Sequence, residues 1–130
     1  MLVVDASVAV RACGVEAGFT SFRGEKLVSP PLMWSEALSA LHEAAWRGEI
    51  AREDADVTRN RLERCPVERR GHERLGEEAW RVADGFGWAK TYDAEYVALA
   101  QLLGCRLVTL DVRLRRAADR LGFVIGPAEL

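Results

Sequence analysis

Only two residues of the chain are histidine, His42 and His72, and only three are cysteine, Cys13, Cys65 and Cys105. Two histidines and no C-x-x-C spacing give no zinc-ligand pattern, so a zinc site is not expected. An odd number of cysteines, far apart in sequence, reads as small packing residues with free thiols in a reducing compartment. No glycine-rich run matches a phosphate loop or a dinucleotide fingerprint. No stretch is long and apolar enough to span a bilayer. The segment Met1–Val10 lacks a basic flank and is interrupted by Asp5, so a secretory leader is not expected. These absences point to a cytoplasmic protein that does not enter a membrane. A surplus of positive charge is also missing. The net charge of −2 argues against a nucleic-acid binder, which as a rule is basic. The basic residues are nearly all arginine, however, since only Lys26 and Lys90 are lysines. Arginine suits bidentate phosphate contact, and an active site built of carboxylates lowers net charge without removing a basic rim.

What is present is an ordinary globular composition, 49% hydrophobic and 29% charged. The length of 130 residues suits one domain, 1–130, with no internal repeat or linker. A chain of this size buries roughly two-thirds of its unfolded surface and needs no covalent staple.

Short apolar runs alternate with helical patterns. Leu2-Val3-Val4 reads as a buried strand ending at Asp5. Ser7–Cys13 reads as a short helix, Glu16–Phe22 as a turn or second helix, and Lys26-Leu27-Val28 as a strand. Pro30-Pro31 opens a helix that Gly48 ends. Its expected core stripe is Trp34, Leu38, Leu41 and Ala45, with Ala37 and Ala44 beside it. A helix over Arg52–Arg64 follows, then a short strand at Val67 and a helix over Glu73–Asp84. The segment Tyr92–Leu103 is apolar nearly all round, which predicts a deeply buried helix stopped by Gly104. Leu107–Leu110 is the next strand, and Asp111 opens a helix carrying Leu114, Ala117, Ala118 and Leu121. Phe123-Val124-Ile125 is the last strand. This alternation implies an α/β fold with a mainly parallel sheet and helices on both faces.

In such sheets a ligand site lies beyond the carboxyl ends of the strands. Asp5 and Asp111 directly follow strands. Glu36 and Asp93 lie near helix starts, which point to the same edge. Each acid has a plainer explanation on its own. Asp111 reads as an N-cap and Asp93 as a complement to a helix dipole. Glu36, off the apolar stripe, reads as a solvated acid. Asp5 is the hardest to dismiss, because a charge flush against a buried strand is costly unless paired or bound to a metal. Four converging carboxylates repel one another and raise each other's pKa. A divalent cation with a preference for oxygen, Mg²⁺ or Mn²⁺, removes that conflict. It also makes water a usable nucleophile, so no histidine or serine nucleophile is required.

The segment Leu2-Val3-Val4-Asp5-Ala6-Ser7 resembles the opening of PIN domains. Ser35-Glu36 is similar to their second acidic position. Tyr92-Asp93-Ala94-Glu95-Tyr96-Val97-Ala98-Leu99-Ala100 resembles their most recognisable segment, and Leu107-Val108-Thr109-Leu110-Asp111 with Arg113-Leu114 resembles the fourth. The four run in the right order from Leu2 to Leu114; the stretch from Arg52 to Gly71 matches none of them. The resemblance implies a three-layer α/β/α sandwich, Mg²⁺ or Mn²⁺ dependence and cleavage of single-stranded RNA. Carried over, Asp5, Glu36, Asp93 and Asp111 form an acidic quartet, with Asp5 and Asp93 in direct contact with the metal. Ser7 and Thr109 would hold a water or an acid in place, with local capping as the alternative. Arg113, two residues from Asp111, is the candidate for phosphate contact; Arg115, Arg116 and Arg120 read as a solvated face. Small size places the resemblance with VapC-type toxins, which implies a homodimer and a cognate antitoxin whose basic side chain enters the acidic pocket. A non-catalytic module of the same fold, binding RNA or protein, is the alternative. A phosphoryl-accepting receiver would need a second acid beside Asp5 and a lysine on a late strand, and the chain has neither.

Overall fold

Five short strands form one sheet in the computed structural model, which describes residues 1–130. They are β1 (Leu2–Val4), β2 (Leu27–Ser29), β3 (Val67–Arg69), β4 (Arg106–Val108) and β5 (Val124–Ile125). Six helices connect them: α1 (Ala6–Gly14), α2 (Leu32–Trp46), α3 (Arg52–Glu63), α4 (Leu75–Phe86), α5 (Tyr92–Leu103) and α6 (Val112–Ala117). The spatial order is β3-β2-β1-β4-β5, and every neighbouring pair is parallel. Val3 stands opposite Val28 on one side and Leu107 on the other.

The order dictates the layers. The chain walks from β1 outward to β2 and β3, then returns past β1 to β4 and β5. Parallel crossovers are right-handed, so the first walk lays its helices on one face and the return lays the rest on the other. Accordingly α1 packs on α2 and α3, while α4 packs on α5 and α5 rests on β1 and β4. The result is a three-layer α/β/α sandwich. No helix is long and apolar enough to cross a membrane.

Strand β1 is covered on both faces, which is why it is a continuous apolar run rather than an alternating one. Leu2, Val3 and Val4 are all buried. Helix α5 is buried nearly all round, from Ala94 through Tyr96–Ala100, as its composition predicts. Each fully buried Val or Leu contributes on the order of 1.5–3 kcal/mol. Gly104 ends α5 at φ 66, a left-handed turn that a side chain resists.

The structure shifts several expectations. Glu16–Phe22 holds only a short 3₁₀ turn at Thr20–Phe22. Helix α4 starts at Leu75 rather than Glu73, and β4 stops at Val108 rather than Leu110. The last helix is split, with α6 ending at Ala117 and a 3₁₀ turn over Asp119–Leu121. The buried stripe of α2 is Met33, Ala37 and Leu41, with Leu38 exposed and Trp34 half-buried. Packing against both α1 and α3 keeps Leu41 from the expected stripe but selects Met33 and Ala37 in place of Trp34 and Leu38. His42 is exposed and His72 half-buried, its Nδ1 accepting from the Arg74 backbone N–H at 3.0 Å. All three cysteines are free, yet Cys13 and Cys65 are neighbours rather than isolated thiols. A hydrogen bond from Cys13 lowers the Cys65 thiol to about 7 and raises that of Cys13.

Candidate functional site

The walk reverses between β1 and β4. Their carboxyl ends therefore border the crevice where α/β sheets place ligands. Asp5 follows β1 directly and is buried. Its Oδ1 accepts from the Val8 backbone N–H at 3.2 Å, which caps α1, and from Ser7 Oγ at 2.5 Å. Its Oδ2 accepts from Thr109 Oγ1, just past β4. The two hydroxyls are themselves held. Ser7 Oγ accepts from the Leu110 N–H at 3.0 Å, and Thr109 Oγ1 from the Asp111 N–H at 2.9 Å. Each hydroxyl thus donates its one proton to Asp5 and accepts a backbone proton from the β4–α6 segment. This arrangement suits an ionised Asp5, since a carboxylate only accepts.

Asp111 opens α6, and its Oδ1 accepts from the Arg113 and Leu114 backbone N–H groups at 2.9 and 3.2 Å. The expected capping role is real, and it coexists with a place at the sheet edge. Glu36 sits near the start of α2 and is half-buried rather than solvated. Its Oε1 accepts from Tyr96 Oη at 2.5 Å. Asp93 lies in the first turn of α5, also half-buried.

The four acids sense one another. Burial pushes Asp5 upward, against hydrogen bonds from Ser7, Thr109 and Val8, and the Asp111 charge pushes it further. Burial raises Glu36, with Asp93 and Asp5 adding to it and the Tyr96 hydrogen bond opposing. Burial and then Asp111 raise Asp93, while the Arg113 guanidinium pulls it down. Glu95, half-buried beside them, is raised by burial and by Glu36. Burial and the Glu36 carboxylate hold the Tyr96 phenol far above its ordinary value, so it stays a donor. The tertiary structure thus brings all four sequence-predicted acids to one rim, with Ser7, Thr109 and Arg113 beside them.

Glu36, Asp93 and Arg113 also line an open groove of about 590 Å³, together with Trp88, Lys90 and Tyr92. A smaller cleft of about 180 Å³ between α2 and α3 contains none of the four acids.

The sequence matches the family described as PIN domain over residues 2–120. The chain belongs to the PIN-domain family. This PIN domain is 36% identical over 115 residues to a VapC ribonuclease of Mycobacterium bovis, covering 88% of each chain. It is equally similar, with the same coverage, to ribonuclease VapC9 of Mycobacterium tuberculosis. Among solved structures it resembles PAE2754 from Pyrobaculum aerophilum with a TM-score of 0.77 and 27% identity, covering 98% of this chain and 91% of that one.

The donor set of this PIN domain fits a hard divalent cation. The four acids and the Ser7 and Thr109 hydroxyls offer only oxygen, and no thiol or imidazole stands among them. No three His, Cys, Asp or Glu side chains stand close enough to ligate one ion among themselves. Magnesium does not require three, since it usually keeps several waters and takes one or two carboxylates.

Sequence reasoning missed Tyr96 as a site residue, placing it only in the core. A signal existed. Tyr96 follows Asp93 by three residues, hence on the same helix face, and a buried tyrosine hydroxyl needs a polar partner. Trp88 and Lys90 were also missed, because nothing local to them shows that their loop borders the acids, and Tyr92, though adjacent to Asp93, was read only as part of the family segment.

Proposed function

We propose that this chain is a metal-dependent endoribonuclease for single-stranded RNA and the toxin of a VapBC-like pair, built as one PIN-like domain over 1–130. The observation that carries the reading is the meeting of Asp5, Glu36, Asp93 and Asp111 at the sheet reversal, where burial and neighbouring carboxylates oppose the charges of Asp5, Glu36 and Asp93. Carboxylates gathered in this way cost stability unless a cation joins them. The similarity to VapC ribonucleases supports the choice of substrate.

Asp5 and Asp93 would hold Mg²⁺ or Mn²⁺, with Glu36 and Asp111 completing the negative rim. When bound, the cation supplies a Lewis acid that offsets phosphate charge and lowers the pKa of water. The chain's own residues prepare that site. Ser7 and Thr109 fix both oxygens of Asp5. Tyr96 fixes Glu36 and keeps one of its oxygens turned inward. Arg113, beside Asp93, offers a guanidinium to a phosphate oxygen. The protein works in the cytoplasm as a homodimer, and a cognate antitoxin silences it by laying a basic side chain into the acidic rim.

The test is cleavage of end-labelled single-stranded RNA by purified protein in Mn²⁺, Mg²⁺ or EDTA, beside Asp93→Asn. Cutting that needs the metal and disappears in the variant is the expected result. RNA binding without cutting in any metal would instead assign the chain to the non-catalytic module.

A further inference from the structure

The groove that begins at Glu36 and Asp93 has a composition the acids do not explain. Its volume, about 590 Å³, is in the range of small-ligand sites. One part of its wall is acidic. The remainder carries two cations, Lys90 and Arg113, and two aromatic rings, Trp88 and Tyr92. Tyr92 is the first residue of α5 and is 55% exposed, so a large ring faces the groove without being packed away. Lys90 has no ion-pair partner, and Arg113 is 87% exposed with only Asp111 at 4.0 Å.

The segment between α4 and α5, which carries Trp88 and Lys90 and leads into Tyr92, is braced at its start. Gly87 ends α4 at φ 71, and the Trp88 N–H donates to Ala83 O at 2.9 Å. Trp88 stacks on Phe86 with ring centroids 4.8 Å apart and planes 16° from parallel. The Arg120 guanidinium lies 4.3 Å from the Phe86 ring and donates to Gly85 O at 3.1 Å. Lys90 and Tyr92 therefore project from a fixed frame, which lowers the ordering cost of binding.

A single nucleic-acid strand offers a phosphate at each nucleotide and an unstacked base face. Proteins hold such strands by cations along the backbone and aromatic rings under the bases. An acidic rim alone repels RNA, so a strand reaching it needs neighbouring cations on its path.

We propose that this groove is the binding subsite for the nucleotide next to the scissile phosphate, with the Tyr92 ring stacked on its base and Lys90, together with Arg113, on its phosphate. The proposal rests on the ribonuclease reading and adds Tyr92 and Lys90 to it. It commits the groove to single-stranded RNA, because a base locked in a duplex presents no free face.

The experiment separates the two ideas. Binding is measured in Mg²⁺ by fluorescence anisotropy of a labelled single-stranded decaribonucleotide, using the Asp5→Asn chain so that nothing is cut. Cleavage by the unsubstituted chain is measured in parallel. Adding Tyr92→Leu weakens binding about tenfold, whereas Tyr92→Phe stays within about twofold of the parent. An abasic site walked along the RNA abolishes the Tyr92→Leu effect at one position only. Lys90→Ala weakens binding a few-fold and lowers the slope of log affinity against log salt by about 0.7. A duplex of the same sequence shows no dependence on Tyr92. If Tyr92→Leu and Lys90→Ala bind like their parent while the unsubstituted chain cleaves, the subsite is wrong and the ribonuclease reading stands. If binding follows Tyr92 but nothing is cut in any metal, the groove binds single-stranded RNA, yet the nuclease reading falls and the subsite's place beside a scissile phosphate falls with it. If the chain neither binds nor cuts RNA, both fall.

Discussion

The β1–α1 and β4–α6 junctions are built alike and end differently. In each, a short strand, buried except for Arg106 of β4, is followed by an aspartate that caps the next helix. Asp5 is 5% exposed, whereas the side chain of Asp111 is 34% exposed. Two features separate them. Asp5 comes directly after Val4, while Thr109 and Leu110 intervene between Val108 and Asp111. Strand β1 is also central, flanked by β2 and β4, whereas β4 has only the two-residue β5 outside it. The same local pattern therefore yields a desolvated charge in one place and a rim charge with a capping duty in the other. Thr109 links them, donating to Asp5 and accepting from the Asp111 backbone.

The comparison can be broken most sharply at Asp5. Asp5→Asn should reduce RNA cleavage by about 10²-fold or more, the scale of losing an electrostatic stabiliser, while leaving the fold intact. The sign of its stability effect follows from linkage. The folded pKa is raised above 3.8, so the ionised carboxylate opposes folding increasingly as pH rises from 3.8 through the folded value. Asn removes that penalty. Melting curves should therefore favour the variant at neutral pH, and its advantage should vanish below about pH 4. A variant that unfolds at both pH values would show that Asp5 is structural.

The link between the junctions comes next. Thr109→Val deprives Asp5 Oδ2 and the Asp111 N–H of their partner at once. It should cost about 1–3 kcal/mol in chemical denaturation, and about 10–100-fold in metal affinity or cleavage rate. Thr109→Ser, which keeps the hydroxyl, should recover most of both.

A cation discriminates the junctions more gently. Mg²⁺ or Mn²⁺ at a hundred times its Kd should stabilise the native chain by about 2.7 kcal/mol. Differential scanning fluorimetry should show that gain lost in Asp5→Asn. A melting temperature that ignores millimolar metal in the unsubstituted chain would count against a metal site at this rim.

The smallest effect lies at Asp111. Asp111→Ala should lower stability by about 1 kcal/mol through the lost cap. Asp111→Asn should leave stability nearly unchanged, because asparagine caps as well as aspartate. A cleavage defect shared by both variants would separate the charge at the rim from the cap.

Much of this was legible in the residues. The strand at Leu2–Val4, the buried helix from Tyr92 and the four acids at strand ends or helix starts all follow from local composition and periodicity. Less was legible where two helical faces compete. Helix α2 offers apolar residues on more than one side, and only its packing selects Met33, Ala37 and Leu41 over Leu38. Glu36 shows the same limit. By position it is a surface acid, yet Tyr96 Oη reaches it from α5. Cys13 and Cys65 look unrelated in sequence and are neighbours in the fold, each shifting the other's thiol.

By itself the sequence determined the inventory: alternating elements, a parallel sheet, four carboxylates bound for one edge and the likeness to PIN domains. Tertiary structure alone decided the order β3-β2-β1-β4-β5, which puts the reversal between β1 and β4. It alone joined Thr109 to Asp5 across 104 residues and Tyr96 to Glu36 across 60. It also set Lys90 and Tyr92 in the groove beside the acids. Periodicity reports which face of an element is buried, because burial repeats along one helix or strand. It carries no record of which distant element comes to lie against that face. That pairing comes from packing the whole chain at once.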